Sequence, residues 1–232
     1  MNIGLYHGVS AARSSQRRME ATTSNLANLQ TPGHKRMSLG TRAFEVPGGQ
    51  PGETELTTFS QIDFSQGPLQ PSANPYHMAL EGSGFFAVEG PEGELYTRNG
   101  TFHVDERGIL QSNEGYPVAW ESRGTPIDAT GEAISVDGSG QVRQGRTEIG
   151  RLRLVGFTAP EKLALLGAGY FQAPRSAGEE APIAIVRHKM LEGSNVQSID
   201  ELVAMISIQR EFEAARNVMQ LIDQSYGRLT SR

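Results

Sequence analysis

The apolar positions near the N-terminus recur with a spacing that predicts an amphipathic helix. From residue 5 to residue 26 the intervals alternate between four and three residues over about three heptads. Pro32 and Gly33 follow and predict where the helical segment ends. Two polar members make the stripe thin, so such a helix needs a partner surface to be stable. The positions are Leu5, Val9, Ala12, Gln16, Met19, Thr23 and Leu26.

A second periodic segment occupies the other end of the chain and carries more apolar surface. Ser198 and Glu201 form an S-x-x-E pattern, which predicts a helix start with a capping box. One apolar stripe then follows at intervals of three and four: Met205, Ile208, Phe212, Ala215, Met219, Ile222, Tyr226 and Leu229. A second stripe lies beside it: Ile199, Leu202, Ile206, Val218 and Leu221. This helix of about 30 residues offers more apolar surface than one partner helix covers, which favours contacts with neighbouring molecules over a simple hairpin.

Two asparagines near the end of the first helix have two interpretations. Buried in a helix interface, Asn25 and Asn28 would fix the register of packing, whereas near a helix end they would simply be solvated. Together with the apolar stripes they define a predicted assembly interface. Its residues are Leu5, Val9, Met19, Asn25, Leu26, Asn28, Leu202, Met205, Ile206, Ile208, Phe212, Met219 and Ile222.

Between the two ends, from about Leu56 to Met190, the pattern changes to short strand-like runs separated by Gly-rich turns. Turns are predicted at 91–94, 105–108 and 137–138, and Asn99-Gly100 is the preferred pair for a type I′ hairpin. We therefore predict an α+β fold, with N- and C-terminal helices that pack together in a coiled-coil-like manner and a central all-β, sandwich-like or barrel-like domain. The predicted divisions are 1–42 for the first helix and its break, 43–75 for a linker or extended segment, 76–190 for the β domain and 191–232 for the second helix.

Charge is unevenly distributed along the chain. The net charge is −5 overall, with +5 in residues 1–42, −9 in 43–198 and −1 in 199–232. A basic arm is compatible with nucleic acid or anionic lipid, but this arm has one aromatic residue and no dense arginine run, which favours acidic protein neighbours. We expect no nucleic-acid partner. Candidate pairs between neighbouring copies join Arg13, Arg17 and Arg18 to Glu201, Glu211 and Glu213.

The sequence carries no recognisable catalytic constellation. Cysteine is absent, which excludes disulfides and thiolate metal sites, and the five histidines do not occur at metal-ligand spacing. Phosphate-loop and nucleophile-elbow patterns are also absent. We therefore expect no enzyme, no cofactor and no metal. The sequence has no run of about 18 apolar residues, so we expect no stable membrane insertion. The N-terminus lacks the pattern of a cleaved signal peptide.

Three stretches, in order along the chain, resemble the motifs of the flagellar hook–basal-body family. SNLANLQTPGHKR resembles its N-terminal motif, although His34 stands where the family usually has an aromatic residue. EGSGFF, LYTRNGTFHVDERGIL and GYPV resemble the central signature, and the stretch LEGSNVQSIDELVAMISIQREFEAARNVM resembles the C-terminal motif. By this resemblance the chain is identified as a member of the flagellar basal-body rod proteins.

The resemblance implies a structural subunit of the rod, which polymerises through its terminal helices into the drive shaft between motor and hook. It implies copies of the same chain, other rod proteins and the flagellar export apparatus as partners, and a place in the basal body, spanning the periplasm, after export without a cleaved signal peptide. Within the family the motifs are closer to the proximal rod type, with the distal rod type as the alternative. From another class, the alternative is a secreted β-rich binding module.

Overall fold

The computed structural model describes residues 3–45 and 54–230 and divides the chain into two compact units. The helical unit comprises Met1–Leu29, Arg36–Asp63 and Val196–Arg232. The β unit comprises Gln30–Lys35 and Phe64–Asn195. Each unit is therefore assembled from segments that are far apart in the sequence.

The helical unit contains both terminal helices, as the periodicity predicts. Helix α1 (Ile3–Ala27) spans 25 residues and helix α2 (Ser198–Thr230) spans 33. They pack antiparallel, because Gly8 near the start of α1 faces Met219 near the end of α2. This confirms the prediction of a helix at each end of the chain.

A β-hairpin follows α1 in the helical unit. Strands β1 (Met37–Glu45) and β2 (Thr54–Ile62) pair antiparallel over their full lengths, from Met37 opposite Ile62 to Glu45 opposite Thr54. The predicted linker range 43–75 therefore includes strand β2. Residues 46–53 of the Gly/Pro-rich stretch lie outside the described residues.

The β unit contains sixteen short strands and two short 3-10 helices among its described residues. In chain order the strands are β3 (Leu69–Pro71), β4 (Met78–Ser83), β5 (Phe85–Gly90), β6 (Gly93–Thr97), β7 (Phe102–Val104), β8 (Leu110–Ser112), β9 (Trp120–Arg123), β10 (Ile134–Val136), β11 (Gln141–Gln144), β12 (Thr147–Leu152), β13 (Leu154–Phe157), β14 (Ala164–Gly167), β15 (Tyr170–Gln172), β16 (Glu179–Glu180), β17 (Ile183–His188) and β18 (Met190–Glu192). The 3-10 helices are Pro160–Lys162 and Arg175–Ala177.

The strands form several open sheets. The largest has the order β14-β15-β6-β5-β13-β16, and a four-stranded sheet has the order β10-β11-β12-β9. Three two-stranded sheets pair β17 with β4, β18 with β3, and β7 with β8. The prediction of a central β-rich domain is confirmed. No sheet within residues 3–45 and 54–230 closes on itself, so the barrel-like form is not confirmed.

Three predicted turns are confirmed and one is wrong. The turns at 91–94, 105–108 and 137–138 join the adjacent strand pairs β5–β6, β7–β8 and β10–β11. Asn99-Gly100 does not close a hairpin, since β6 pairs with β5 and β15 while β7 pairs with β8. Instead the Gly100 carbonyl accepts a hydrogen bond from the Met78 N–H at 3.1 Å. Packing against strand β4 thus overrides the local turn preference.

The core of the β unit lies between these sheets. Seventeen buried apolar residues form one cluster, which includes Phe86, Phe102 and Leu152. The rings of Phe86 and Phe102 pack edge to face with centroids 5.2 Å apart. Strands β8 and β10 alternate between buried and more exposed positions, whereas β5 and β13 are buried along most or all of their length.

Candidate assembly surface

The seam between α1 and α2 is narrow because small residues of α1 line it. A Cβ added to Gly8 would lie 2.6 Å from the Met219 Cγ, so a larger residue at this position would require the Met219 side chain to shift. Ser15 and Ala21 are also buried on α1, and Ile208 is buried on α2. The first apolar stripe of α2 thus faces α1 of the same chain.

The opposite side of α2 exposes large apolar residues. We call Ile199, Leu202, Val203 and Ile206 the outer patch. These side chains are between 48% and 74% exposed. Their spacing of three, one and three residues places them on one helical face, turned away from the Ile208 side. Val218 and Leu221 are exposed farther along α2. Exposed apolar residues concentrated in this way are typical of surfaces that interact with other molecules.

A groove runs beside the seam on the surface of the helical unit. Its volume is about 260 Å³, and residues of both helices line it: Ser15, Gln16, Met19, Glu20, Gln209 and Phe212. Phe212 is partly exposed within the first stripe. The hairpin therefore leaves part of that stripe accessible as well.

A buried polar cluster joins the end of α1 to the start of α2. The Asn25 side chain donates to the Met37 carbonyl at 2.7 Å, and its Oδ1 accepts from the Met37 N–H at 2.9 Å. Asn25 Nδ2 also donates to Glu201 Oε2 at 3.3 Å, and Arg36 Nε donates to Glu201 Oε1 at 2.5 Å. The Glu201 carboxylate is thus engaged by Arg36 and Asn25. Asn25 positions chain segments within one molecule.

Of the candidate ion pairs, one is formed inside the chain. Arg18 Nη1 lies 2.5 Å from Glu211 Oε2, with both side chains substantially exposed. Glu213 accepts a hydrogen bond from Gln209 at 3.3 Å. Arg13 and Arg17 are exposed on α1 and form no ion pair within the part of the chain that the structure describes. Pairing of these residues with neighbouring copies stays a prediction.

The other predicted interface residues divide by exposure. Val9, Leu202, Ile206 and Phe212 are exposed. Those that are buried or half-buried are Met19, Leu26, Asn28, Met205, Ile208, Met219 and Ile222. The side chain of Leu5 lies outside the described residues. Sequence reasoning did not single out Val203, which lies in the outer patch.

The β unit contains a buried cluster of charged residues, which the sequence analysis did not predict. Lys35 Nζ lies 2.6 Å from Glu192 Oε1, and Arg98 Nη1 lies 3.3 Å from Glu192 Oε2. The Gly67 N–H donates to the same carboxylate at 3.0 Å. Burial lowers the pKa of the Arg98 guanidinium, while attraction to Glu192 opposes that shift. We call Lys35, Arg98 and Glu192 the ion cluster.

The ion cluster links the three motifs that carry the family resemblance. Lys35 belongs to TPGHKR, Arg98 to LYTRNG and Glu192 to LEGSN. The Gly33 N–H also donates to the Glu192 carbonyl at 2.7 Å. The charged residue that each of these motifs contributes is the feature of the sequence from which the ion cluster could have been predicted.

Replacing His34 with phenylalanine is expected to weaken the acid sensitivity of the β unit. Burial lowers the pKa of His34 below its ordinary value of 6.5. As the pH falls through 6.5, the unfolded chain therefore gains a proton that the folded chain resists, and the free energy of unfolding falls. Phenylalanine removes this dependence, and also removes Nε2, which is buried without a hydrogen-bond partner among the described residues. Urea unfolding at about pH 7 and about pH 5 measures the effect.

The wild-type chain is the reference for that measurement. Burial also lowers the pKa of His77, but this residue is present in both proteins. An equal loss of stability in the two proteins between these pH values would contradict the assignment to His34.

Within residues 3–45 and 54–230, no group of three or more His, Asp or Glu side chains is placed to hold a metal ion. No helix in the described part of the chain has the length and apolar character needed to cross a membrane.

Comparison with known proteins connects these surfaces to a family. Three family models match: "Flagella basal body rod protein" at residues 5–35, "Flagellar hook protein FlgE/F/G D1 domain" at 79–144 and "Flagellar basal body rod FlgEFG protein C-terminal" at 187–232. The ion cluster takes one residue from each matched range.

Individual relatives match over most of their length. The flagellar basal-body rod protein FlgF of Escherichia coli is 32% identical, over 98% of this chain and 97% of that protein. FlgF of Caulobacter vibrioides is 31% identical, over 94% and 93%. FlgG of Buchnera aphidicola subsp. Schizaphis graminum is 30% identical, over 91% and 92%. The chain belongs to the family of flagellar basal-body rod proteins.

Proposed function

We propose that this chain is a structural subunit of the flagellar basal-body rod, of the type named FlgF among its relatives, and that it polymerises through its terminal helices. The outer patch carries the proposal. Fully burying one side chain of this kind contributes about 1.5–3 kcal/mol, and the α1–α2 hairpin leaves four of them exposed. Helices of neighbouring subunits would supply the missing cover.

Contacts of this kind build a filament rather than a closed dimer. The outer patch lies on the side of α2 turned away from the seam, so a neighbour that covers it meets a different surface from the one that α1 covers. When the neighbour covers the outer patch with a different surface of its own, the contact is head to tail and propagates into a helical assembly. The three- and four-residue spacing of Met205, Ile208 and Phe212 supports coiled-coil-like packing within it.

In the rod, many shared helix contacts would transmit torque from motor to hook. The partners would be copies of this chain, other rod proteins and, before assembly, the flagellar export apparatus. The resemblance to the proximal rod type supports a place in the periplasm-spanning part of the basal body. An enzymatic role is not part of the proposal, since the matched relatives are named as rod proteins.

Replacing Ile206 with aspartate tests the role of the outer patch. Ile206 is exposed, so we expect the melting temperature of the purified chain to stay unchanged. In the rod the new carboxylate would be buried without a partner, at a cost of several kcal/mol. Incorporation into isolated basal bodies should therefore fall by more than about 100-fold. Immunoblots of basal bodies and swimming in soft agar measure the result.

Ser207→Asp is the matched control, since it adds the same charge to an exposed neighbouring position of α2 outside the outer patch. Normal swimming of the Ile206→Asp strain, or an equal defect in both strains, would count against assembly through this surface.

A complementation experiment separates the FlgF type from the FlgG type, which also occurs among the relatives. The gene for this chain should restore swimming to a strain of its own species that lacks FlgF, and should fail in one that lacks FlgG. The reverse result would assign the chain to the FlgG type. Failure in both strains would count against both assignments.

A further inference from the structure

A groove with an acidic rim lies at one edge of the β unit. Its volume is about 350 Å³, within the range of about 300–1,000 Å³ typical of binding cavities. Apolar and aromatic side chains form its walls, and two carboxylates stand at its rim. The main contributors are Pro91, Glu92, Glu114, Tyr116, Leu166 and Tyr170. We call this the acidic groove.

The walls of the acidic groove are held in place by specific contacts. The rings of Tyr116 and Tyr170 pack edge to face with centroids 5.3 Å apart. The Tyr170 hydroxyl donates a hydrogen bond to the Glu114 carboxylate. Leu166 precedes a tight turn in which Ala168 adopts a left-handed conformation, with φ 49°. Leu166 is exposed and extends the apolar wall into solvent.

Strand β17 presents the complementary chemistry on its outer face. Ile183 is 80% exposed, and Ile185 and Arg187 are exposed at the next alternate positions. Alternate residues of a strand point to the same side, so these three form one row. Lys189 is exposed just beyond the strand. We call Ile183, Ile185, Arg187 and Lys189 the β17 row, which is apolar at one end and basic at the other.

We propose that the β17 row of one copy docks in the acidic groove of a second copy. Ile183 and Ile185 would pack against the apolar walls formed by Leu166 and Tyr116. The cations at the basic end would approach the carboxylates at the rim, and this complementarity of charge fixes the orientation of docking.

Arg187 already lies 2.5 Å from Glu81, but both side chains are nearly half exposed, so this pair contributes little and is free to rearrange. One chain carries both the row and the groove, so the contact joins unlike surfaces and repeats from copy to copy. It extends the proposed function, because it gives the β unit an assembly contact of its own beside that of the terminal helices.

The absence of cysteine allows a direct test by disulfide trapping. Leu166→Cys and Ile183→Cys are combined in one chain, expressed as the only copy in the cell, and basal bodies are isolated and oxidised. Both positions are exposed, so the fold should be retained. We expect a ladder of disulfide-linked dimers and longer multimers. Each single variant should give none.

The matched control combines Leu166→Cys with Ser135→Cys, an exposed position of β10 in the same unit. An equal ladder in the control would overturn the proposal, as would cross-links that join the doubly substituted chain only to other proteins. Basal bodies that contain the chain but give no ladder would overturn this contact and leave the proposed function standing. Basal bodies that lack even the wild-type chain would overturn both.

Discussion

Replacing Glu192 with glutamine is expected to lower the free energy of unfolding by about 3–5 kcal/mol, the usual effect of removing one member of a buried ion pair. The side chains of Lys35, Arg98 and Glu192 are only 1%, 4% and 0% exposed. Without the carboxylate, Lys35 and Arg98 would each lose their ion pair to Glu192 inside the protein. Urea unfolding of the full chain measures the loss.

The matched control for this prediction is Glu121→Gln. Glu121 also pairs with an arginine, at 3.4 Å from Arg151, but both side chains are almost half exposed. An exposed pair of this kind contributes about 0–1 kcal/mol. The same chemical change should therefore have a small effect at Glu121 and a large one at Glu192.

A double-mutant cycle shows whether the effect comes from the ion cluster itself. Lys35→Met should destabilise the wild-type chain more than it destabilises the Glu192→Gln variant, because the variant has already lost the ion pair between Lys35 and Glu192. Equal effects in the two backgrounds, or losses at Glu192 and Glu121 that agree within error, would show that the cluster is not a major source of stability.

The two helices could be predicted because their apolar periodicity is a local pattern that extends over many residues. About three heptads followed by Pro32-Gly33 at one end of the chain, and a start at Ser198 at the other, predict α1 and α2. Helix α1 ends at Ala27, five residues before Pro32. The predicted hairpin turn at Asn99-Gly100 is wrong because a contact with a part of the chain distant in sequence decides the role of Gly100. A Cβ added to Gly100 would lie 1.5 Å from the Met78 carbonyl oxygen, so the glycine serves a close approach to a distant strand rather than a hairpin.

The candidate site was only partly predictable for a related reason. Two stripes on α2 can be read from the sequence, but which one faces α1 depends on the rotation of the helix in the folded chain. Which charged residues become buried is even harder to predict from the sequence. Glu201 and its partner Arg36 are 165 residues apart, and Lys35 and Glu192 are 157 apart. A sequence pattern treats such residues as surface charges until the fold brings them together.

Gly33→Ala is expected to destabilise the β unit through two effects that act at the same position. Gly33 has φ 70°, a left-handed conformation that costs a non-glycine residue about 1–3 kcal/mol. A Cβ there would also lie 2.4 Å from the backbone carbon of Arg98 and from the nitrogen of Asn99. Backbone cannot move aside as a flexible side chain does, so overpacking adds about another 1–3 kcal/mol.

Gly115→Ala separates these two effects. Gly115 has φ 86°, but a Cβ there would meet nothing within 4 Å, so this variant carries the conformational cost alone. The difference between the two variants in urea unfolding then measures the clash of residue 33 with the segment that holds Arg98. Equal losses in the two variants would mean that the TPG segment does not pack tightly against that segment. A larger loss for Gly33→Ala would establish why the first motif needs glycine at this position.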